Sequence, residues 1–476
     1  MTNDLGLTYQ PLRVAIIGSG PSAFYAADHL QKQVPNVEID MFERLPTPHG
    51  LVRGGVAPDH PRIKNVTKVY DKIAAQPGFH FYGNVEFGRD ILLEDLRQHY
   101  HAVIYAVGAQ TDRQLGVPGE DLIGSHAATE FVGWYNAHPD FRDEVFDLNQ
   151  SAAAVIGNGN VAMDVARILA SCADELRGTD IADYALEALE ASRVTDIYVL
   201  GRRGPAQAAY TNAEIKELGA LREADVIVLS EEAELDPLSR EALEASPDRV
   251  TEANVSIISG YAQRPAEGKP RRIHMRFLLS PVELIGDAQG RVRAIRVVKN
   301  VLVKNEDGSL RAQATDKTEE IPVGLVFRSI GYKGVALPDV PFDSRRAVIP
   351  NRAGRVIDPA ADGAPRTGEY AAGWIKRGPS GVIGTNKPDS IETVNTLLED
   401  ASAGDLWQPE APDRAAVEQL LSDRNIEWVS YEDWLLLDQA EQERGAAENR
   451  PRVKFSRVDE MLNEIRARKH VTEPGD

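Results

Sequence analysis

Two short strings have the residue types and spacing to hold a nucleotide pyrophosphate: GSGPSA at 18–23 and GNGNVA at 157–162. In the first, Gly18 and Gly20 allow a tight turn and a close backbone approach to phosphate, and the small Ala23 lets a helix pack on a strand. Gly157, Gly159 and Ala162 repeat that spacing. The strands downstream of the two strings end in opposite charge. After the first, VEIDMFE ends at Glu43, whose carboxylate can accept hydrogen bonds from ribose hydroxyls. After the second, DIYVLGRRG ends in Arg202 and Arg203. An acid there would repel a 2′-phosphate, whereas paired guanidiniums can bind one through charge-assisted hydrogen bonds. The first site therefore suits FAD or NAD, and the second suits NADP(H). One nucleotide is expected to stay bound while the other visits, which points to FAD and NADPH, with hydride passing from nicotinamide C4 to flavin N5.

The remaining chemistry is bounded by composition. The chain carries a single cysteine, Cys172. This excludes an internal disulfide, a CxxC redox pair, a thiolate zinc site and an iron–sulfur cluster held by this chain alone, and no metal site is expected. Redox work must fall to a bound cofactor. With 73 acidic against 53 basic residues, the net charge of −20 argues against nucleic acid or an anionic membrane as partner. There is no apolar run long enough to span a bilayer, and the start MTNDLGLTYQPLR lacks a secretory pattern, so a cytoplasmic protein is expected.

The elements that must position these groups can be read from the pattern. VAII, GSGPSA and FYAADHLQKQ read as strand, turn and helix, and AAAVIG, GNGNVA and MDVARILASCADEL repeat the reading. HAVIYAVGAQ, closing at Gly108, is expected to carry the chain out of the first domain, and VGLVFRSIGY, closing at Gly331, to end the insert. EYAAGWIKRGPSGVIGTNKPDSIETVNTLL then reads as strand, glycine-rich loop and helix. Gly378, Ser380, Gly381 and Gly384 would let backbone amides approach a flat ring, and the helix would lend positive potential. Asp389 with Glu392 also fits a capping box, as does Thr211 with Glu214. The expected fold is α/β: two Rossmann-like dinucleotide-binding domains, a discontinuous FAD domain (residues 1–112 and 337–403) enclosing an NADP domain (113–336), with a helical C-terminal extension (404–476). Trp407, Trp428 and Trp434 fall in that extension, and docking onto the body is the expected use of their rings.

Taken together, GSGPSA, PTPHGLVRGGVAPDHP, AVGAQTDR, FVGWYNAHP, GNGNVAMDVARIL, GRRGP and GWIKRGPSGVIGTNK resemble the adrenodoxin-reductase-like NADPH:ferredoxin oxidoreductases, including the actinobacterial type. The resemblance covers about residues 10–400. It implies FAD contacts at Ser22, Glu43, Leu51, Val85, Trp374, Gly381, Val382 and Ile383. It implies NADP contacts at Arg113, Asn158, Gly159, Asn160, Val161, Arg202, Arg203, Glu214 and Gly381. His60 in APDHP and Glu217 in AEIKEL resemble the family's active-site histidine and glutamate. Hydride moves directly between rings, so their expected task is to orient the nicotinamide carboxamide and manage protons, an imidazole titrating near neutrality.

The resemblance further implies a monomeric enzyme and, as acceptor of single electrons, a small iron–sulfur ferredoxin, which family members use to feed cytochromes P450 or other reductive pathways. The two-nucleotide layout alone also admits a flavin monooxygenase. Ferredoxins are usually acidic, so docking on this chain needs a local basic face. Lys269, Arg271, Arg272 and Arg276 are the candidates, with Lys376 and Arg377 nearer the flavin motif.

Overall fold

The computed structural model describes residues 11–472, so the N-terminal residues that bear on export lie largely outside it. Two compact units are present. Within the described residues, unit 1 comprises the chain up to Val56, His60–Thr111 and everything from Tyr332, whereas unit 2 comprises Ala57–Asp59 and Asp112–Gly331.

The chain begins in unit 1 with β1 (Arg13–Ile17), α1 (Pro21–Gln33) and β2 (Glu38–Glu43). Every residue of β1 is buried, as expected of a parallel strand covered on both faces. The helix α1 starts with proline at its first position, where no amide hydrogen is needed, and turns Ala23, Phe24, Ala27 and Leu30 into the core. Three short helices come next, α2 (Leu51–Gly54), α3 (Pro61–Lys64) and α4 (Thr67–Ala74), then β3 (Phe79–Gly83) and β4 (Ala102–Tyr105).

Unit 2 contributes β5 (Ser125–Ala127), β6 (Ala152–Ile156), α5 (Asn160–Ala170), β7 (Asp196–Leu200), α6 (Asn212–Leu218), β8 (Ala224–Val228) and β9 (Arg271–Arg276). An antiparallel trio, β10 (Leu279–Gly286), β11 (Val292–Lys304) and β12 (Leu310–Ile321), precedes β13 (Leu325–Arg328). The main sheet is parallel, in the order β5-β13-β6-β7-β9-β8. Apolar clusters cover both of its faces, one built around Phe131, Ile168 and Phe327 and the other around Leu284 and Ile295.

Back in unit 1 the chain adds β14 (Asn351–Arg352), β15 (Arg355–Asp358) and β16 (Ala364–Ala371), giving the order β14-β15-β16-β4-β1-β2-β3. The five strands from β16 to β3 are parallel. After β16 the chain forms a helical turn, Trp374–Arg377, before the glycine-rich loop, which the simpler reading of strand, loop and helix did not contain. Then come α7 (Asn386–Ala403), α8 (Arg414–Asp423), α9 (Tyr431–Ala447) and α10 (Val458–Thr472). Among the described residues no helix is long and apolar enough to cross a membrane. The fold class is thus the expected one, α/β with two Rossmann-like sheets and C-terminal helices.

Both phosphate-type turns sit where β1 and β6 give way to α1 and α5, at the carboxyl ends of parallel strands.

Candidate functional site

In unit 1, Gly18 has φ +98°, and a Cβ there would lie 2.6 Å from the Ala106 carbonyl oxygen, so only glycine permits the turn. Gly20 has ordinary extended geometry, and a Cβ on it would meet nothing within 4 Å. It faces open space over the N-terminus of α1, which has no side-chain cap and no acid in its first turn. Such uncapped amides with a clear approach suit an anion. Ala23 is fully buried, as close helix–sheet packing requires. Glu43 ends β2 and reaches back to this turn: its Oε2 accepts from the Ser19 amide at 3.2 Å and hydroxyl at 2.7 Å, and its Oε1 accepts from the Leu45 amide at 3.2 Å. Three bonds leave lone-pair capacity on the carboxylate for a ribose hydroxyl.

The other unit 1 positions fall around that sheet end. Ser22 is buried, its carbonyl accepting from the Ser390 hydroxyl at 2.9 Å. Leu51 opens α2 and is exposed, whereas Val85 is buried behind β3. The Trp374 indole N–H donates to the Ser380 carbonyl at 3.2 Å, and its ring lies 5.2 Å from that of Tyr332. Gly381 has φ +81°, Val382 is exposed and Ile383 is half-buried at the loop leading to α7. His60 is the N-cap residue of α3.

Unit 2 repeats the turn. Gly157 has φ +133°, and a Cβ there would lie 2.1 Å from the Ser329 carbonyl oxygen. Gly159 faces open space ahead of α5, again without a side-chain cap or a first-turn acid. The Asn158 carbonyl accepts from the Ala209 amide at 3.0 Å, and Asn160 Oδ1 accepts from the Thr211 amide at 2.8 Å, so both asparagines tie the turn to the segment before α6. Val161 is partly buried against the core. Arg113 is exposed, its amide donating to the Gly331 carbonyl at 3.1 Å.

Arg202 and Arg203 come just after β7, with their carbonyls fixed by the Asn300 side chain at 2.8 Å and the Leu278 amide at 3.2 Å. Their backbone is anchored, yet among the described residues neither guanidinium has a carboxylate partner. Burial and then the adjacent Arg202 charge push the Arg203 guanidinium below its ordinary value. A dianionic phosphate would relieve that repulsion.

Glu214, buried on α6, departs from the capping-box reading. Thr211 Oγ1 does accept from the Glu214 amide at 3.4 Å, but the Glu214 carboxylate turns inward to Arg167 Nη1 at 3.1 Å. Glu217, half-buried on the same helix, lies 3.6 Å from that nitrogen. Arg167 itself escaped the sequence reading. It projects from the buried face of α5 and also binds Asp59 through two bonds of 2.6 and 3.0 Å and Asp164 at 2.7 Å. Burial alone would depress this guanidinium, but the Asp59 bond and the surrounding carboxylates outweigh it and hold the group well above its ordinary value. The only hint was an arginine at an apolar helix position, in MDVARILA.

The basic residues expected to form a docking face are engaged inside their own units. Arg272 makes a bidentate pair with Asp196 at 2.7 and 2.6 Å, and Arg276 pairs with Glu232 and Glu319 at 2.9 Å each. Arg271 donates to the Ser171 carbonyl at 2.7 Å and Lys269 to the Leu221 carbonyl at 2.9 Å. Lys376 is buried against Asp389 and Glu392, and Arg377 lies over the same loop. Asp389 therefore does not cap α7, which starts at Asn386 after Thr385. Its Oδ2 accepts from the Gly373 amide at 2.5 Å instead, and Glu392 belongs to the lysine.

The pyridine nucleotide-disulphide oxidoreductase family matches residues 12–255. The NADPH-ferredoxin reductase FprA of Mycobacterium leprae is 46% identical over 455 residues, spanning 94% of this chain and 97% of that protein. The mitochondrial NADPH:adrenodoxin oxidoreductase of Salvelinus fontinalis is 41% identical, spanning 96% and 91%. Among solved structures, Mycobacterium tuberculosis FprA in complex with NADPH superposes with a TM-score of 0.89 at 45% identity, covering 96% of this chain and all of that one.

Proposed function

The chain belongs to the family of NADPH-ferredoxin reductases and NADPH:adrenodoxin oxidoreductases, and from that membership we propose that it is an FAD-dependent oxidoreductase that takes hydride from NADPH and delivers single electrons to a ferredoxin. The observation that carries the reading is the contrast between the two turns. One has an acid, Glu43, at the next strand end, and the other has two guanidiniums, Arg202 and Arg203, without carboxylate partners among the described residues.

The bound flavin supplies the conversion of a two-electron donor into one-electron deliveries; the protein binds, orients and excludes. In unit 1, the open amides at the start of α1 receive the FAD pyrophosphate and Glu43 accepts from the ribose. Ser22, Leu51, Val85, Trp374, Gly381, Val382 and Ile383 border the remainder of the molecule. In unit 2, the start of α5 receives the NADPH pyrophosphate, Asn158, Gly159, Asn160 and Val161 supply the turn, and Arg113, Arg202, Arg203 and Glu214 fix the rest. The Glu214 carboxylate faces Arg167 and serves as an acceptor. His60 and Glu217 would hold the carboxamide and exchange protons through an imidazole nitrogen and a carboxylate oxygen. In this division of labour residues 1–112 and 337–403 would carry FAD and 113–336 NADP, with 404–476 forming the extension.

The test is anaerobic. NADPH should bleach the yellow holoenzyme faster than NADH does, and ferredoxin should restore the colour. Colour restored only by oxygen together with an organic substrate, which gains an oxygen atom, would identify a monooxygenase instead.

A further inference from the structure

With the expected basic clusters engaged internally, the acceptor must find positive charge elsewhere. Residues 61–72, PRIKNVTKVYDK, hold Arg62, Lys64, Lys68 and Lys72 against a single acid, Asp71, a net charge of +3 in a chain whose total is −20. Asp71 accepts from the Tyr431 hydroxyl at 2.7 Å, and among the described residues it makes no ion pair with Lys68 or Lys72. Arg62, Lys68 and Lys72 are exposed, and none has a carboxylate partner among the described residues.

The bases fall on two consecutive helices, Arg62 on α3 and Lys68 and Lys72 on α4. Lys68, Val69 and Lys72 are spaced i, i+1, i+4 along α4 and are all exposed, while Tyr70, Ile73 and Ala74 face the core. Val69 is 47% exposed, and Ile63, on α3, is 44% exposed. Two bare branched side chains beside Arg62, Lys68 and Lys72 are not what a solvated face needs. They match a transient docking surface, where an apolar centre makes contact and charges at the rim steer. The face also starts at the proposed site: His60 immediately precedes α3, and α2, which opens with Leu51, packs on α3.

We propose that α3 and α4, through Arg62, Ile63, Lys68, Val69 and Lys72, form the docking face for the acidic iron–sulfur protein that accepts the electrons. This deepens the reductase reading and rests on it. Electron-transfer encounters bury little surface, below about 1,200 Å² in total, so a patch of this extent is adequate. Its positive field would offset locally the repulsion between two acidic proteins.

The test compares the wild-type holoenzyme with Lys68→Glu/Lys72→Glu. Acceptors are an acidic [2Fe–2S] ferredoxin, an acidic bacterial [4Fe–4S] ferredoxin and a small neutral quinone. In the variant, the KM for whichever ferredoxin the wild type reduces should rise at least tenfold, and its dependence on salt should flatten. NADPH-to-quinone turnover should stay within twofold, since neither lysine is among the residues proposed to hold a cofactor. Lys68→Gln/Lys72→Gln should raise the KM about threefold and serves if the reversal fails to fold. A variant that keeps the wild-type KM and salt slope would overturn the docking face while leaving the reductase intact. A wild type that reduces the quinone but neither ferredoxin would overturn the reductase reading and the docking face with it.

Discussion

His49 lies between the rings of Phe24, Tyr70 and Trp434, 4% exposed, at the end of the PTPH run before α2. Among the described residues its Nε2 has no hydrogen-bond partner, a carboxylate oxygen of Asp71 lying 3.8 Å away. Burial first, then the Arg53 and Arg452 charges, push this imidazole from 6.5 down to about 3. It stays neutral in the folded protein, while the unfolded chain takes up a proton below about 6.5, so stability is lost as pH falls from there towards 3. The slope reaches about 1.4 kcal/mol per pH unit. His49→Phe should therefore lessen the fall in urea stability between pH 6.5 and 4.5, and an unchanged slope would assign the acid sensitivity elsewhere. His126, pushed down to about 4 chiefly by burial, contributes a second drop of the same sign in unit 2.

At the scale of elements, the two strand–turn–helix units make opposite demands on their glycines. Gly18→Ala and Gly157→Ala would drive a methyl into backbone carbonyls at positive φ, so each should destabilise its unit, by several kcal/mol. Gly20→Ala and Gly159→Ala meet no protein atom and need no unusual φ, so each should fold normally. Their cost should fall on ligands: weaker FAD retention for Gly20→Ala and a higher KM for NADPH with Gly159→Ala. Thermal melts of the apoprotein, together with cofactor titrations, separate the two classes. These elements were legible in the sequence because strand, small-residue turn and helix are local, contiguous patterns. Arg167 was not, because its meaning lies in Asp59, Asp164 and Glu214, which come together only in the folded unit. For the same reason Glu214 reads as a helix cap in the sequence and proves to be an ion-pair partner. The basic clusters misled in the same way: Arg272 and Arg276 look free until the strands β7 and β9 align and bring Asp196 beside the first.

Over the whole molecule, the C-terminal extension is part of unit 1. Trp434 is 2% exposed, the Leu406 side chain is buried, and the Trp407 amide donates to the His101 carbonyl at 3.0 Å, in keeping with the docking expected from the tryptophans. Glu441 of α9 is fully buried and binds Arg53, in the LVRGG motif, at 2.5 and 2.8 Å. Burial would raise this carboxyl, but Arg53, Arg452 and the Phe455 amide hold it below its usual range. Glu441→Gln leaves the Arg53 charge inadequately paired, so it should cost roughly 3–5 kcal/mol in chemical denaturation, and a loss below about 1 kcal/mol would refute the anchoring role. The extension's composition suggested packing, but nothing in its sequence named Arg53 as the target, some 390 positions away. The most direct measurement concerns the pair of charges that distinguishes the two nucleotide sites: stopped-flow flavin reduction by NADPH and by NADH in the wild type and in Arg202→Ala/Arg203→Ala. The wild type should prefer NADPH strongly, and the double variant should lose about 100-fold or more of that preference, mainly through NADPH affinity, two charge-assisted contacts being worth about 3 kcal/mol or more together. A variant that still selects NADPH as the wild type does, or a wild type indifferent to the 2′-phosphate, would contradict the assignment.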